Sequence, residues 1–169
     1  MEEEILDVVD EKDQFVRKAT RKEVREKVLL HRVARVIIIG KNSELLIQKR
    51  SIMKDMFPGY YDIGLAETVK SGEGYESAAM RGLMEEFGIY GASNIRLTLS
   101  FLFRIKYESS QTREICKVYE LFYDGKITAQ KEEIDDFKFL GIQDIRKLAK
   151  DKPFHPAGLI AFNKYLELK

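Results

Sequence analysis

The 169-residue sequence predicts an α+β fold, and two patterns carry this prediction. Short β-branched or apolar runs bounded by polar turn residues recur along the chain and are typical of strands. Between them, the segment from Gly74 to Phe87 repeats apolar residues at helical spacing. No repeat of roughly 20 to 50 residues and no low-complexity segment divides the chain. We therefore treat 1–169 as one domain, with 1–30 as an N-terminal extension.

The N-terminal extension is predicted to be a hairpin followed by a short helix. Apolar residues at 4–10 and 15–17 flank a polar break, which is typical of two paired strands. Thr20 is followed three residues later by Glu23, a spacing that lets the two side chains cap the start of a helix reciprocally. We expect this helix to run to about Val28.

Further strands and helices follow from the same two patterns. Strands are predicted at 35–40, 44–49, 60–65, 95–107, 115–123 and 137–140. Helices are predicted from Gly74 to Phe87, at 143–150 and at 156–168. The strands at 35–40 and 44–49 are the most apolar, so we expect them in the centre of the sheet.

The composition excludes several classes of protein. With 44% hydrophobic and 34% charged residues, the chain is neither disordered nor fibrous. Its 29 Lys and Arg residues are balanced by 28 Asp and Glu residues, whereas nucleic-acid-binding domains usually carry a basic excess. No apolar run approaches the roughly 20 residues needed to cross a bilayer, and no export signal is recognisable. We expect a cytoplasmic protein without nucleic-acid or membrane partners; the sequence indicates no oligomeric state.

The candidate chemistry lies at the end of the long helix. Glu85 and Glu86 are roughly 100° apart around its axis, so both carboxylates can reach one site. An acidic pair on an amphipathic helix is usually a solvated face. Its context here is more specific, because Glu73 precedes Arg81 by eight positions and Gly88 closes the run.

This spacing resembles the Nudix box: Gly, five residues, Glu, seven residues, Arg-Glu-hydrophobic-x-Glu-Glu-x-Gly-hydrophobic. Seven of its nine defined positions match. The two departures are Glu67, where the family has its first glycine, and Gly82, where it has the glutamate after arginine. Outside the box, the segment from Asp7 to Gly64 resembles the Nudix branch related to isopentenyl diphosphate isomerase.

The resemblance implies a Nudix-like α/β/α sandwich with a mixed sheet and a small-molecule diphosphate substrate bridged by Mg²⁺ or Mn²⁺. It implies catalytic and metal-binding roles for Glu85 and Glu86, since hard cations prefer carboxylate oxygens. Glu73 and Arg81 match a pair that orients the loop against the helix, and Gly88 completes the box.

The resemblance also implies cationic contacts to the substrate. Arg50 and Lys54 correspond to residues that hold the diphosphate in the isomerases, and Arg81 is a third candidate. Arginine can donate two hydrogen bonds to a phosphate, whereas lysine acts as a point charge. Each side chain has a plainer interpretation, as a stem covering apolar surface or as a surface ion pair.

Gly82 leaves a gap in the expected ligand set. It lies one turn before Glu85 and Glu86 on the same face, and a glycine within a helix costs about 1 kcal/mol relative to alanine. Glu114 matches a metal-binding glutamate of the isomerase-like branch and is the expected replacement. The alternative for Glu114 is an outward side chain on an edge strand.

Two functions are therefore carried forward. The first is a metal-dependent hydrolase of an organic or nucleoside diphosphate; the second is a catalytically decayed domain that binds such a ligand or a partner. Isopentenyl diphosphate isomerisation is less expected, because Ala66 and Ala157 align with the cysteine and tryptophan that the isomerases use. His31 matches a metal-binding histidine of those enzymes but lacks its companions.

Overall fold

A computed structural model describes residues 3–90 and 99–169 and confirms the N-terminal hairpin and helix. Strands β1 (Ile5–Val9) and β2 (Phe15–Thr20) pair antiparallel, and α1 (Arg21–Glu26) follows directly. The Thr20 hydroxyl accepts a hydrogen bond from the Glu23 amide at 3.1 Å, as the cap predicts. The Glu23 carboxylate instead pairs with Arg17 and Lys27, so the cap is made from one side only.

The remaining strands extend this hairpin into one mixed sheet. They are β3 (Leu30–Ile39), β4 (Leu45–Arg50), β5 (Tyr61–Ile63), β6 (Leu65–Thr68), β7 (Ser100–Glu108), β8 (Arg113–Phe122) and β9 (Ile134–Leu140). One path through the sheet runs β2-β1-β3-β4-β5. Strand β3 pairs parallel with β8 along its whole length and antiparallel with β6. The central position of β3 and β4 is as predicted.

In the described parts of the chain, three helices longer than α1 cover the two faces of this sheet. They are α2 (Tyr75–Phe87), α3 (Ile142–Asp151) and α4 (Pro156–Glu167). Alternate residues of β3 point to opposite faces, so Val36 and Ile38 share a core with α2. Ile37 and Ile39 share a second core with α3 and α4. The expected α/β/α sandwich with a mixed sheet is confirmed.

Several strand boundaries differ from the sequence prediction, and two of these differences have a clear structural reason. The strand expected at 60–65 is divided at Gly64, where φ is +60° and an added Cβ would lie 2.0 Å from the Val36 carbonyl oxygen. The backbone therefore turns there, and the Gly64 oxygen accepts a hydrogen bond from Gln48. Strand β3 begins at Leu30, earlier than the expected Arg35, because polar side chains at its start hide the pattern. The part of the 95–107 prediction at 95–98 lies outside the described residues.

Candidate active site

Every side chain that the sequence nominates for catalysis or binding lines one cavity of 260 Å³. Strands β3 and β6, the end of α2 and the loop after β4 contribute its walls. The nominated residues are Arg50, Lys54, Arg81, Glu85, Glu86 and Glu114. These residues span 65 positions of the chain, so tertiary packing, and not closeness in sequence, brings them to one cavity.

The end of α2 brings Glu86 to this cavity. Gly88 adopts the left-handed conformation at φ +62°, and its N–H bonds the Met84 carbonyl at 3.1 Å. The Ile89 N–H returns to the Leu83 carbonyl, which ends the helix as predicted. Glu86 is buried at 8% exposure, while the neighbouring Glu85 side chain is about half exposed.

A second carboxylate, Glu67 on β6, lies beside Glu86. Both side chains line the cavity from packed elements, α2 and β6, close enough for each carboxyl group to shift the pKa of the other. Burial raises the pKa of Glu86 well above its ordinary value, and the neighbouring Glu67 raises it further, against the effect of Lys54. Burial also raises the pKa of Glu67, although Arg81 opposes this shift. The two carboxyl groups therefore resist ionising together unless a cation joins them.

Arg81 holds the loop before α2 against the helix. Its guanidinium donates two hydrogen bonds of 2.9 Å to Glu73 and a third of 2.9 Å to the Thr68 carbonyl. It also pairs with Glu67 at 3.0 Å and with Glu85 at 3.7 Å. The hydrogen bond to Glu73 is the main cause that raises the pKa of Arg81. The predicted contact between Glu73 and Arg81 is present, and the same guanidinium also pairs with two carboxylates of the cavity, Glu67 and Glu85.

The two cations of the β4 loop reach the cavity differently. Arg50 donates to the carbonyl groups of Met56 and Phe57, with its shortest hydrogen bond at 2.8 Å. It therefore orders the loop as well as lining the cavity. Lys54 pairs with Glu133, which lines the same cavity and was not singled out by sequence. Its ammonium also faces Glu86 closely enough to lower the pKa of that carboxyl.

Glu114 is buried and lies next to His31 across the parallel strands β3 and β8. Its carboxylate accepts a hydrogen bond of 3.1 Å from the Thr112 hydroxyl and contacts the Cys116 thiol at 3.6 Å. His31 uses Nδ1 in a 3.0 Å contact with the Leu29 carbonyl. Glu114 thus faces the cavity from the strand, and the alternative of an outward edge side chain is wrong.

Sequence reasoning missed a buried ion pair behind the cavity. Arg35 on β3 donates to Asp62 at 3.0 and 3.2 Å, and both side chains are almost fully buried. The Arg35 Nη2 lies 3.2 Å from Nδ1 of His155, so a neutral His155 accepts from the guanidinium. The pKa of His155 is lowered to about 4, mainly by burial; the charge of Asp62 opposes this shift and the charge of Arg35 adds to it.

The donor set suits a hard divalent cation. Glu86, which is buried, and Glu67, whose side chain is 12% exposed, both present carboxylate oxygens to the cavity, and Mg²⁺ commonly takes one or two carboxylates together with water and substrate phosphates. Within residues 3–90 and 99–169, no three His, Cys, Asp or Glu side chains converge tightly enough to hold a metal by themselves. Substrate and water oxygens are therefore needed to complete the coordination.

The fold and cavity together define an α/β/α domain that presents both carboxylates and cations to one ligand. Comparison with known proteins gives its family, because a family model for the NUDIX domain matches residues 29–161. The uncharacterized Nudix hydrolase PA4841 of Pseudomonas aeruginosa is 30% identical over 164 residues, covering 97% of this chain and 94% of that protein. The chain belongs to the Nudix family, as its box predicts.

Two further relatives bear on the fold and on the predicted branch. The structure of DR0079 from Deinococcus radiodurans matches with a TM-score of 0.71 at 25% identity, over 89% of this chain and 92% of that one. Isopentenyl-diphosphate Delta-isomerase 1 of Photorhabdus laumondii is 29% identical over 119 residues, which are 70% of this chain and 68% of that enzyme. The isomerase branch stays a prediction, because PA4841 matches more of the chain.

Among the helices in the described parts of the chain, none combines the length and apolar character that a membrane span requires.

Proposed function

We propose that the protein is a metal-dependent hydrolase of an organic or nucleoside diphosphate. The observation that carries this proposal is the position of Glu86, a buried carboxylate that faces both a second carboxylate and the ammonium of Lys54. Such a site matches a divalent cation on one side and a phosphate on the other. Membership of the Nudix family supports the same reaction class.

Glu86, together with Glu85, is the group we assign to Mg²⁺ or Mn²⁺. The cation, when bound, supplies Lewis-acid stabilisation of negative charge on the phosphoryl oxygens. Lys54 and Arg50 line the same cavity and offset the charge of the diphosphate, while Arg81 keeps Glu85 and the loop before α2 in place. Glu114 is a further candidate ligand from strand β8.

The reaction adds water to a phosphoanhydride. The water oxygen forms a new bond to phosphorus, the bridging P–O bond breaks, and two phosphate products leave. Glu85 is the more exposed carboxylate of the helix end, and we assign it the proton that the water gives up. Lys54 then faces the charge that accumulates on the departing phosphate.

A second candidate function is a domain that binds a diphosphate without cleaving it. Two observations favour it: Gly82 removes a carboxylate from the box, and the guanidiniums of Arg50 and Arg81 already bond protein oxygens. This candidate predicts ligand-induced stabilisation without turnover, because binding to the native state alone raises the melting temperature.

One screen separates the two functions. Diphosphate compounds are incubated with the protein and Mg²⁺ or Mn²⁺, released phosphate is measured, and melting temperatures are recorded in parallel. The hydrolase proposal predicts phosphate release from at least one compound, and none when a chelator is added. Metal-dependent stabilisation by a compound that is never cleaved would support the binding domain instead. Hydrolysis that persists in chelator would contradict the assignment of Glu85 and Glu86 to a metal ion under either function.

A further inference from the structure

The two departures from the Nudix box face each other in the fold. Glu67 stands where the family has glycine, and Gly82 stands where it has glutamate. Position 67 lies on β6 and position 82 lies in the middle of α2, which packs against that strand. The box has therefore lost a carboxylate on the helix and gained one on the strand opposite.

The space that a side chain at position 82 would need is already filled by Glu67. A Cβ added to Gly82 would lie 3.0 Å from Oε2 of Glu67 and 3.0 Å from its Cβ. It would also lie 2.9 Å from Cδ2 of Leu65. All three distances are shorter than ordinary van der Waals contact, so the two positions cannot both carry a long side chain without rearrangement.

The Glu67 carboxylate points to the same cavity as the glutamates of the helix end. It lines the cavity together with Glu86 and pairs with Nη1 of Arg81 at 3.0 Å. Arg81 in turn contacts Glu85 at 3.7 Å. Glu67 therefore reaches the ligand face that a glutamate at position 82 would share with Glu85 and Glu86.

We propose that Glu67 supplies an acidic metal ligand beside Glu86 and that it replaces the helix glutamate missing at position 82. Gly82 makes this replacement possible, because the absence of a side chain at position 82 leaves room for the Glu67 carboxylate on β6. This inference rests on the proposed metal-dependent function. It assigns the missing ligand to Glu67 in preference to Glu114, whose carboxylate accepts a hydrogen bond from Thr112, the residue before β8.

The simpler interpretation is that Glu67 only anchors Arg81. Glu73 provides the comparison, because it holds the same guanidinium through two hydrogen bonds but does not line the cavity. Loss of either carboxylate weakens the hold on Arg81, whereas only loss of Glu67 removes an oxygen from the proposed ligand set.

The test measures Mn²⁺ affinity, using the electron paramagnetic resonance signal of the free ion to quantify binding. Circular dichroism first shows that each variant is folded. Glu67→Gln should weaken Mn²⁺ affinity by at least the roughly tenfold that loss of an outer-shell partner costs. Glu73→Gln should weaken it less. Equal loss in both variants, or unchanged affinity in Glu67→Gln, would overturn the inference.

An exchange cycle tests the pairing of the two positions. Gly82→Glu alone should lower the melting temperature without metal and should not tighten Mn²⁺ binding, because the added side chain meets Glu67. Glu67→Gly alone should weaken binding. The double variant Glu67→Gly with Gly82→Glu should recover affinity relative to Glu67→Gly. Tighter binding in Gly82→Glu alone, or no recovery in the double variant, would contradict the exchange.

Glu86→Gln separates this inference from the proposed function. If Glu86→Gln loses Mn²⁺ and Glu67→Gln does not, the metal site stands and the assignment of Glu67 is wrong. If neither variant changes Mn²⁺ binding, the proposed site itself is wrong.

Discussion

Acidification should destabilise the fold through one histidine, His155. This side chain is buried between Arg35 and the ring of Phe57, whose centroid lies 4.4 Å from that of the imidazole. In the folded protein its pKa is lowered to about 4 from 6.5. A protonated imidazole would place an N–H against the guanidinium of Arg35, so the folded state binds the proton poorly.

The sign and size of the effect follow from this pKa. Below pH 6.5 the unfolded chain takes up the proton while the folded chain does not, so stability falls as the pH drops from 6.5 to about 4. The full shift corresponds to about 3 kcal/mol, and roughly 2 kcal/mol of it is lost at pH 5 relative to pH 8. Stability contributed by a neutral His155 is fully present above pH 6.5.

Urea unfolding at several pH values measures the loss, with the variant His155→Gln as the comparison. The wild type should lose about 2 kcal/mol more than the variant between pH 8 and pH 5. The chain has two histidines, so NMR titration of their ring protons reports His155 directly. An imidazole of His155 that titrates near pH 6.5, or equal pH dependence in both proteins, would refute the reasoning.

Two other predictions concern the same region and the reaction. Gly158→Ala should destabilise the protein by about 1 to 3 kcal/mol in urea unfolding, because the added Cβ would lie 2.0 Å from Oδ1 of Asp62. Gly74→Ala, where no atom lies within 4 Å of the added Cβ, is the control, and an equal loss in both would argue against the clash. The protein should not convert isopentenyl diphosphate to dimethylallyl diphosphate, because alanines at 66 and 157 offer neither proton transfer nor cation shielding. Product above the no-enzyme control would contradict that expectation.

Local signals predicted the helix that carries the acidic pair. Apolar spacing over α2 and a glycine at position 88 determine where the helix runs and where it ends, and both are short-range features. The contact between Glu73 and Arg81 was expected from the resemblance to the Nudix box, in which these two positions form a pair. The position of the helix, its end at Gly88 and the contact between Glu73 and Arg81 could therefore be predicted from the sequence.

Long-range packing explains what the sequence did not reveal. In the sequence, Arg35 is only the polar start of an apolar strand, whereas the fold brings Asp62, 27 residues away, and His155, 120 residues away, to its guanidinium. Glu67 appeared as a departure from the box, and its relation to Gly82 depends on β6 packing against α2. In the sequence, the only signal of this relation was that the box departs from its pattern at two positions, one losing a glutamate and the other gaining one.

The most direct test of the central claim is the hydrolysis rate of Glu86→Gln on whichever diphosphate the wild type cleaves best with Mg²⁺. Glu76→Gln is the matched control, because Glu76 is an exposed glutamate in the first turn of the same helix. We expect Glu86→Gln to lose about 100-fold or more in rate, since it removes a charge that organises the reacting phosphates. Glu76→Gln should retain the wild-type rate. Equal rates in the wild type and Glu86→Gln would contradict the assignment of this cavity as the site of hydrolysis.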